Sequence, residues 1–224
     1  MRPDDDLAFA LSLADDADAI TLARFRAGDL RVETKPDLTP VSEADRLVER
    51  TLRERIGRER PGAAVLGEEE GGDDRSGWIL DPIDGTRNYT RGIPIWATMI
   101  AFAGRVAVVS APALGRRWWA ERNRGAYANG ERIRVSGIDR VEDATVLVRA
   151  RNAPALAAHA WHVRGFGDFW AHMLVAEGSA ELAVDEPDLA IWDEAPLSII
   201  LEEAGGRYEN SVSWNGRLDV SELR

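Results

Sequence analysis

Residues 78–89 read WILDPIDGTRNY. An apolar run of the kind that forms a buried strand ends at Asp81, Pro82-Ile83 follow, and Asp84-Gly85-Thr86 complete the motif. Two acids behind such a strand need compensation, because carboxylates sharing a pocket repel and either keep protons or bind a cation. A rigid Pro-Ile corner lets Asp81 and Asp84 face one point and exposes the Ile83 carbonyl as another hard oxygen. Oxygen donors without His or Cys select Mg2+, Mn2+ or Ca2+ over zinc or copper. Gly85-Thr86 then acquires a purpose: glycine admits close backbone approach, and amides opening a helix bind phosphate oxygens. Acids for metal and amides for phosphate suit metal-assisted phosphoryl chemistry.

Three further acids stand at the ends of predicted elements, where side chains can converge on a shared cleft. Glu68 follows a strand in VLGEEEGG (65–72), Asp45 opens a helix in TPVSEAD (39–45), and Asp193 precedes a helix in AIWDEAP (190–196). Each has an ordinary alternative. Asp45 is three residues after Ser42 and fits a capping box, Asp193 fits a helix cap, and Glu68 to Glu70 fit a solvated charge run. Their joint occurrence with DPIDGT favours a metal site.

With 224 residues, 45% hydrophobic and 30% charged, the chain has the composition of an ordinary soluble globular protein with a substantial core. No apolar run approaches the roughly 20 residues of a membrane span. The acidic start MRPDDDLAFA lacks the basic opening of a secretory signal, and zero cysteines suit a cytoplasmic setting. A net charge of −11 argues against nucleic acid as partner, so an anionic substrate would need local sign reversal by bound cations. None of the three histidines, His159, His162 and His172, is placed as a nucleophile; all read as surface or packing residues.

The chain reads as an antiparallel α+β part (1–137) followed by a smaller alternating α/β part (138–224). A first helix is expected over 4–27 with Leu7, Leu11 and Ala14 on one face, and a second from Ser42. A hairpin edge is expected at 34–41, strands at 63–67 and 77–81, two strands turning at Gly104-Arg105, and a tight hairpin at Asn129-Gly130. Residues 144–150 read as a strand. Beyond it helix-like DFWAHMLVAEG, strand-like ELAVD and helix-like WDEAPLSIILEEAGG alternate, the paired glycines stopping the last helix.

Glu68 in GEE, DPIDGT at 81–86 and WD at 192–193 together resemble the inositol monophosphatase family of Mg2+-dependent, lithium-sensitive phosphatases, over nearly the whole chain. The resemblance implies a layered αβαβα sandwich, usually a homodimer. It implies two to three Mg2+ ions (Mn2+ as substitute) held by Glu68, Asp81, the Ile83 carbonyl, Asp84 and Asp193, with Asp45 holding the weakest ion through water. Gly85 and Thr86 would cradle phosphate. A water oriented by Glu68 and Thr86 would attack phosphorus in line, without a covalent enzyme intermediate.

KPDLTPVSEAD, ALGRRWWAERNRGAY and RGFGDFWAHMLVAEG look most like the family's histidinol-phosphatase branch. Inositol-specific members carry small neutral residues where this chain has Asp168-Phe169. A carboxylate there suits the ammonium of histidinol phosphate, although Asp168 also fits a helix N-cap. Glu186 matches a substrate-contacting acid of the family, and Asn215 in WNGRLD resembles a tail position near substrate. Trp118 and Trp119 read as packing residues. The segments near 150–160 and 210–215 are shorter than the family pattern. Inositol 1-phosphate and phosphoadenosine phosphate remain alternative substrates, and an inactive metal- and phosphate-binding relative is the non-enzyme alternative.

Overall fold

A computed structural model describes residues 4–36, 38–72, 75–149 and 154–221. In chain order the elements are α1 (Asp4–Arg24), β1 (Val32–Thr34), β2 (Pro40–Ser42), α2 (Glu43–Glu59), β3 (Val65–Gly67), β4 (Trp78–Asp84) and α3 (Thr86–Thr90). There follow β5 (Ala97–Phe102), β6 (Val106–Ala111), β7 (Arg116–Glu121), β8 (Gly125–Ala128), β9 (Glu131–Ile133) and β10 (Thr145–Val148). The chain ends with β11 (His162–Arg164), α4 (Asp168–Ala176), β12 (Leu182–Val184), α5 (Ile191–Glu203), β13 (Arg207–Glu209) and β14 (Val212–Trp214).

Strands β3 to β9 form a seven-stranded sheet in sequence order, antiparallel except for the β3–β4 pair. Side-chain alternation along β4 divides its two faces. Trp78 and Leu80 join Phe9, Leu13, Val48 and Leu52 of α1 and α2, whereas Ile79 faces the cluster built on α4 and α5. The second sheet runs β11-β10-β12-β14-β13 and mixes parallel with antiparallel pairs. Its Leu147 and Ala183 share the α4–α5 core with the first sheet, while Val146, Leu182 and Trp214 face Leu156 and Ala157 of a 3-10 turn. The layers are thus helices, sheet, helices, sheet and an outer covering of short turns: an α/β sandwich. Residues 137 and 138 lie in the connection between β9 and β10.

Several local expectations shift. α1 stops at Arg24 instead of 27, because Arg26 takes φ 62 and its guanidinium donates to the Gly92 carbonyl at 2.6 and 3.0 Å. Its buried stripe centres on Phe9, Ala10, Leu13 and Ala17, with Leu7 and Leu11 at the margin. The hairpin at Asn129-Gly130 is present, with φ 47 and 92 as a primed turn requires. The expected strand at 144–150 runs Thr145–Val148; Ala150 and residues 151–153, within the segment expected to be short, lie outside the described residues.

Candidate active site

The opening motif is a bulge within a strand, not a corner after one. β4 continues through Pro82 to Asp84, and its pairing with β5 slips between Asp81↔Met99 and Asp84↔Ala97. In a regular strand, residues three apart point to opposite faces; one extra residue returns the second to the face of the first. Pro82 lacks the N–H that would hold a regular ladder, and its carbonyl accepts from Thr98 Oγ1 at 2.7 Å. Asp81 and Asp84 therefore share a side. One carboxylate oxygen from each, with one from Asp193, lies within 4.8 Å of the others.

Asp193 arrives from α5. It is the third residue of the helix, not a residue before it; one of its oxygens accepts from Ala190 N at 3.2 Å, closing the first turn from within, while the side chain also joins the cluster. Glu68 lines the same cleft, of about 410 Å³, as do Ile83, Gly85 and Thr86. Gly85 has φ 80, and a Cβ there would stand 3.0 Å from the Ile95 carbonyl, so the turn into α3 needs glycine. Asp45 stands behind these groups. Its Oδ2 accepts from Ser42 N at 2.8 Å and Ser42 Oγ at 2.6 Å in a capping box, while Oδ1 lies 3.2 Å from Thr86 Oγ1. Thr86 Oγ1 also reaches the Ile83 carbonyl at 2.9 Å.

Charge is poorly compensated at this end. Burial, then Glu68, Asp193 and Asp84, pushes Asp81 well above the usual carboxylate range. Burial and the Asp168 and Asp193 charges do the same to Asp84. Asp193 is pushed up to about 7, chiefly by burial and Glu68, and Asp45 to about 6 by burial despite its Ser42 bonds. Asp81 Oδ1 is buried without a hydrogen-bond partner. A hard cation fits such a set: several carboxylate oxygens, a carbonyl nearby, no thiolate or imidazole, and an unsatisfied oxygen within the cluster.

The loop carrying Glu68 is tied down by a residue absent from the sequence-based site. Glu49, fully buried on α2, accepts from Glu69 N at 2.7 Å and Glu70 N at 3.0 Å. Gly67 is required beside it, since a Cβ there would come within 2.2 Å of the Glu49 carboxylate. Lys35, from the β1–β2 hairpin, reaches Glu68 at 2.8 Å and Glu69 at 2.6 Å. Burial counts against the ammonium, but these two acids hold its pKa above the ordinary value.

At the other end, Asp168 and Glu186 both line the cleft. Asp168 does not cap α4. It has φ 56, and its carboxylate lies 3.1 Å from Arg149; the Phe169 N–H at this helix end is taken instead by Asp84 Oδ2 at 2.6 Å. Asn215, expected near substrate, is placed elsewhere. Its amide donates to Ser136 Oγ at 3.1 Å and the Ile138 carbonyl at 2.6 Å, and its oxygen accepts from Arg217 N and Leu218 N. It fastens the C-terminal turn and does not line the cleft. His172 is a packing residue, fully buried with Nδ1 2.9 Å from Ser213 Oγ. Trp118 is likewise buried.

Arg149 and Asp185 were not singled out in the sequence. Arg149 follows an apolar strand, Asp185 immediately precedes Glu186, and the only available clue was that an acid-rich cleft needs a cation. Asp185 is wholly buried and 2.9 Å from Arg149 Nη1. Burial raises its pKa, but His172 and Arg149 outweigh that and hold the carboxyl well below the usual range. Among the described residues no helix is long and apolar enough to cross a membrane.

The family model of the inositol monophosphatase family matches residues 3–216. A histidinol-phosphatase of Mycobacterium tuberculosis is 48% identical over 91% of this chain and 86% of its own length. A histidinol-phosphatase of Streptomyces coelicolor is 44% identical, covering 96% and 94%. Among solved structures, an inositol monophosphatase of Thermotoga maritima superposes with a TM-score of 0.83 at 27% identity, covering 95% of this chain and 92% of that one. One from Zymomonas mobilis gives 0.82 at 28%, covering 100% and 98%. With the family model spanning nearly all of the sequence and the sandwich shared, the chain belongs to the inositol monophosphatase family, whose members are metal-dependent phosphoric monoester hydrolases.

Proposed function

We propose that the protein is a Mg2+-dependent phosphatase that hydrolyses L-histidinol phosphate to L-histidinol and phosphate. The observation that carries this reading is the division of one cleft. A cluster of uncompensated buried carboxylates at one end suits a cation with a phosphate, and Asp168 and Glu186 at the other suit an organic ammonium. The relatives named histidinol-phosphatase support the same substrate.

Glu68, Asp81, the Ile83 carbonyl, Asp84 and Asp193 would hold the metal, with Asp45 in reach of a further ion through water. When bound, Mg2+ neutralises phosphate charge and makes water more acidic. Gly85 and Thr86 present their backbone amides to the phosphate where β4 turns into α3. The Thr86 hydroxyl has one proton, shared between the Ile83 carbonyl at 2.9 Å and Asp45 at 3.2 Å, and its lone pairs can accept from the attacking water. Asp45, buried behind Thr86, can accept that hydrogen bond and fix the direction of the hydroxyl. Glu68, which lines the same cleft, would orient the same water. Water attacks phosphorus in line, the P–O bond to the alcohol breaks, and the alcohol oxygen gains a proton from solvent.

Phosphate release measured on L-histidinol phosphate, inositol 1-phosphate and phosphoadenosine phosphate tests the assignment. The highest kcat/KM belongs to the first; a higher value for either of the others removes it. Release without divalent ions would remove the metal mechanism. The same reading carries two to three ions, lithium inhibition, a homodimer and a cytoplasmic location. Metal titration, a lithium inhibition curve, sedimentation and cell fractionation respectively check these.

A further inference from the structure

We infer that Asp185, acting through Arg149, is a positioning residue that holds Asp168 and Glu186 as a paired-carboxylate receptor for an ammonium group on the substrate. The inference deepens the proposed function and rests on it.

The geometry converges on one buried carboxylate at the end of β12. Asp185 Oδ2 accepts from Asp168 N at 2.8 Å, and Oδ1 accepts from Glu186 N at 2.7 Å. Oδ1 also accepts from Arg149 Nη1 at 2.9 Å. The guanidinium then turns outward to the side chains of the same two residues. Its Nη2 lies 3.1 Å from Asp168 Oδ1 and its Nε 3.6 Å from Glu186 Oε1. One buried group thus places both receptor residues by their backbone, and its partner places both by their carboxylates. The bond from Asp168 N also holds that residue at φ 56, a conformation that L residues avoid without support. Behind Asp185 the interior is closed by His172, whose Nε2 is 3.8 Å from Asp185 Oδ2.

The arrangement is suited to receive a cation as well as to be stable. Three carboxylates face one guanidinium, so the group remains net negative. The Asp185 side chain is 1% exposed and fully engaged, whereas that of Glu186 is 57% exposed and only loosely held at 3.6 Å. The outer carboxylate is the one that an incoming ammonium can share, with Asp168 beside it in the cleft. Because a guanidinium fork is planar with donors in fixed directions, it can span three acceptors, which a lysine ammonium at the same point cannot do.

The test compares L-histidinol phosphate with p-nitrophenyl phosphate, which has no ammonium, using the full-length Mg2+-loaded enzyme. Arg149→Lys keeps the charge and loses the fork. It should lower the ratio of the two kcat/KM values by roughly fivefold or more, with the loss mainly in KM for the cationic ester. Asp185→Asn should lower the ratio further, and Arg149→Lys decides alone if that variant does not fold. A ratio in Arg149→Lys within about twofold of wild type, or equal losses on both esters, would overturn the inference. A wild-type enzyme without preference for the cationic ester fails earlier and differently: it removes the proposed substrate and the receptor together, before any substitution is made.

Discussion

The two ends of the cleft both hold buried carboxylates, with Glu186 alone exposed at the second, yet their electrostatics run in opposite directions. At the Asp81–Asp84–Asp193 end no lysine or arginine pairs with the three acids among the described residues, and all three are driven toward the protonated form. At the Asp185 end a guanidinium fills the space between three acids, and the most buried of them is driven toward the ionised form. Asp81 and Asp185 are both hidden; the difference is whether the chain supplies its own cation. An end that supplies none is poised to take one from solution, and an end that supplies one is already assembled.

The largest effect expected from this contrast is on catalysis. Asp81→Asn should lower kcat/KM by about a thousandfold or more in steady-state assays, since it removes a central oxygen ligand. The same variant should be more stable than wild type in chelator, by on the order of 1 kcal/mol in denaturant titration, because a repelled buried charge is gone. A less stable metal-free variant would break the comparison.

Arg149→Met should do the opposite to stability at the other end. Leaving Asp185 buried without its partner should cost about 2 kcal/mol, after allowance for the partial exposure of Arg149. Denaturant unfolding reads it, and an unchanged midpoint would show that Asp185 does not depend on the guanidinium.

The pH dependence should be smaller and its sign is set by the raised groups. A carboxyl whose pKa rises on folding contributes stability below its unfolded value and loses it as pH climbs through the folded value. For Asp45 and Asp193, raised to about 6 and about 7, that window lies between the ordinary Asp range and neutrality. Metal-free protein should therefore melt several degrees higher at about pH 5.5 than at about pH 7.5, and saturating Mg2+ should shrink the difference. Asp185 acts in reverse, its contribution being lost only as pH falls below the ordinary Asp range. A melting temperature that rises toward neutral pH in chelator would contradict the unpaired character of the cluster.

The smallest expected effect concerns Asn215, which does not line the cleft. Asn215→Ala should cost about 1 kcal/mol through its lost turn bonds while changing KM for histidinol phosphate less than about twofold. A large KM increase at unchanged stability would return Asn215 to the substrate.

Local chemistry made much of the molecule legible. Asn129-Gly130 marked a hairpin and the spacing of Ser42 and Asp45 marked a capped helix, whereas Pro82 between two acids read as a corner after a strand and proved to be a bulge inside one. The convergence of Asp81, Asp84 and Asp193 was legible because their joint occurrence at element ends favoured a shared site over separate caps, and Glu68 lines the same cleft. Asp168 was misread as a possible cap, since nothing local shows that Asp84, far away in sequence, reaches that helix end first.

The amino-acid sequence by itself therefore determined many of the helices and strands and the kind of cation the acids want, because these follow from periodicity and donor type within a few residues. The layered sandwich was implied by the family resemblance, and the bulge that turns Asp81 and Asp84 to one side came only with the strand pairing. The tertiary structure alone decided which acids keep a cation of their own. Arg149 meets Asp168, Asp185 and Glu186, and Lys35 meets Glu68, only after sheets and hairpins bring distant segments together. Coulomb energy depends on distance in space and on burial, and neither is written in the order of the residues.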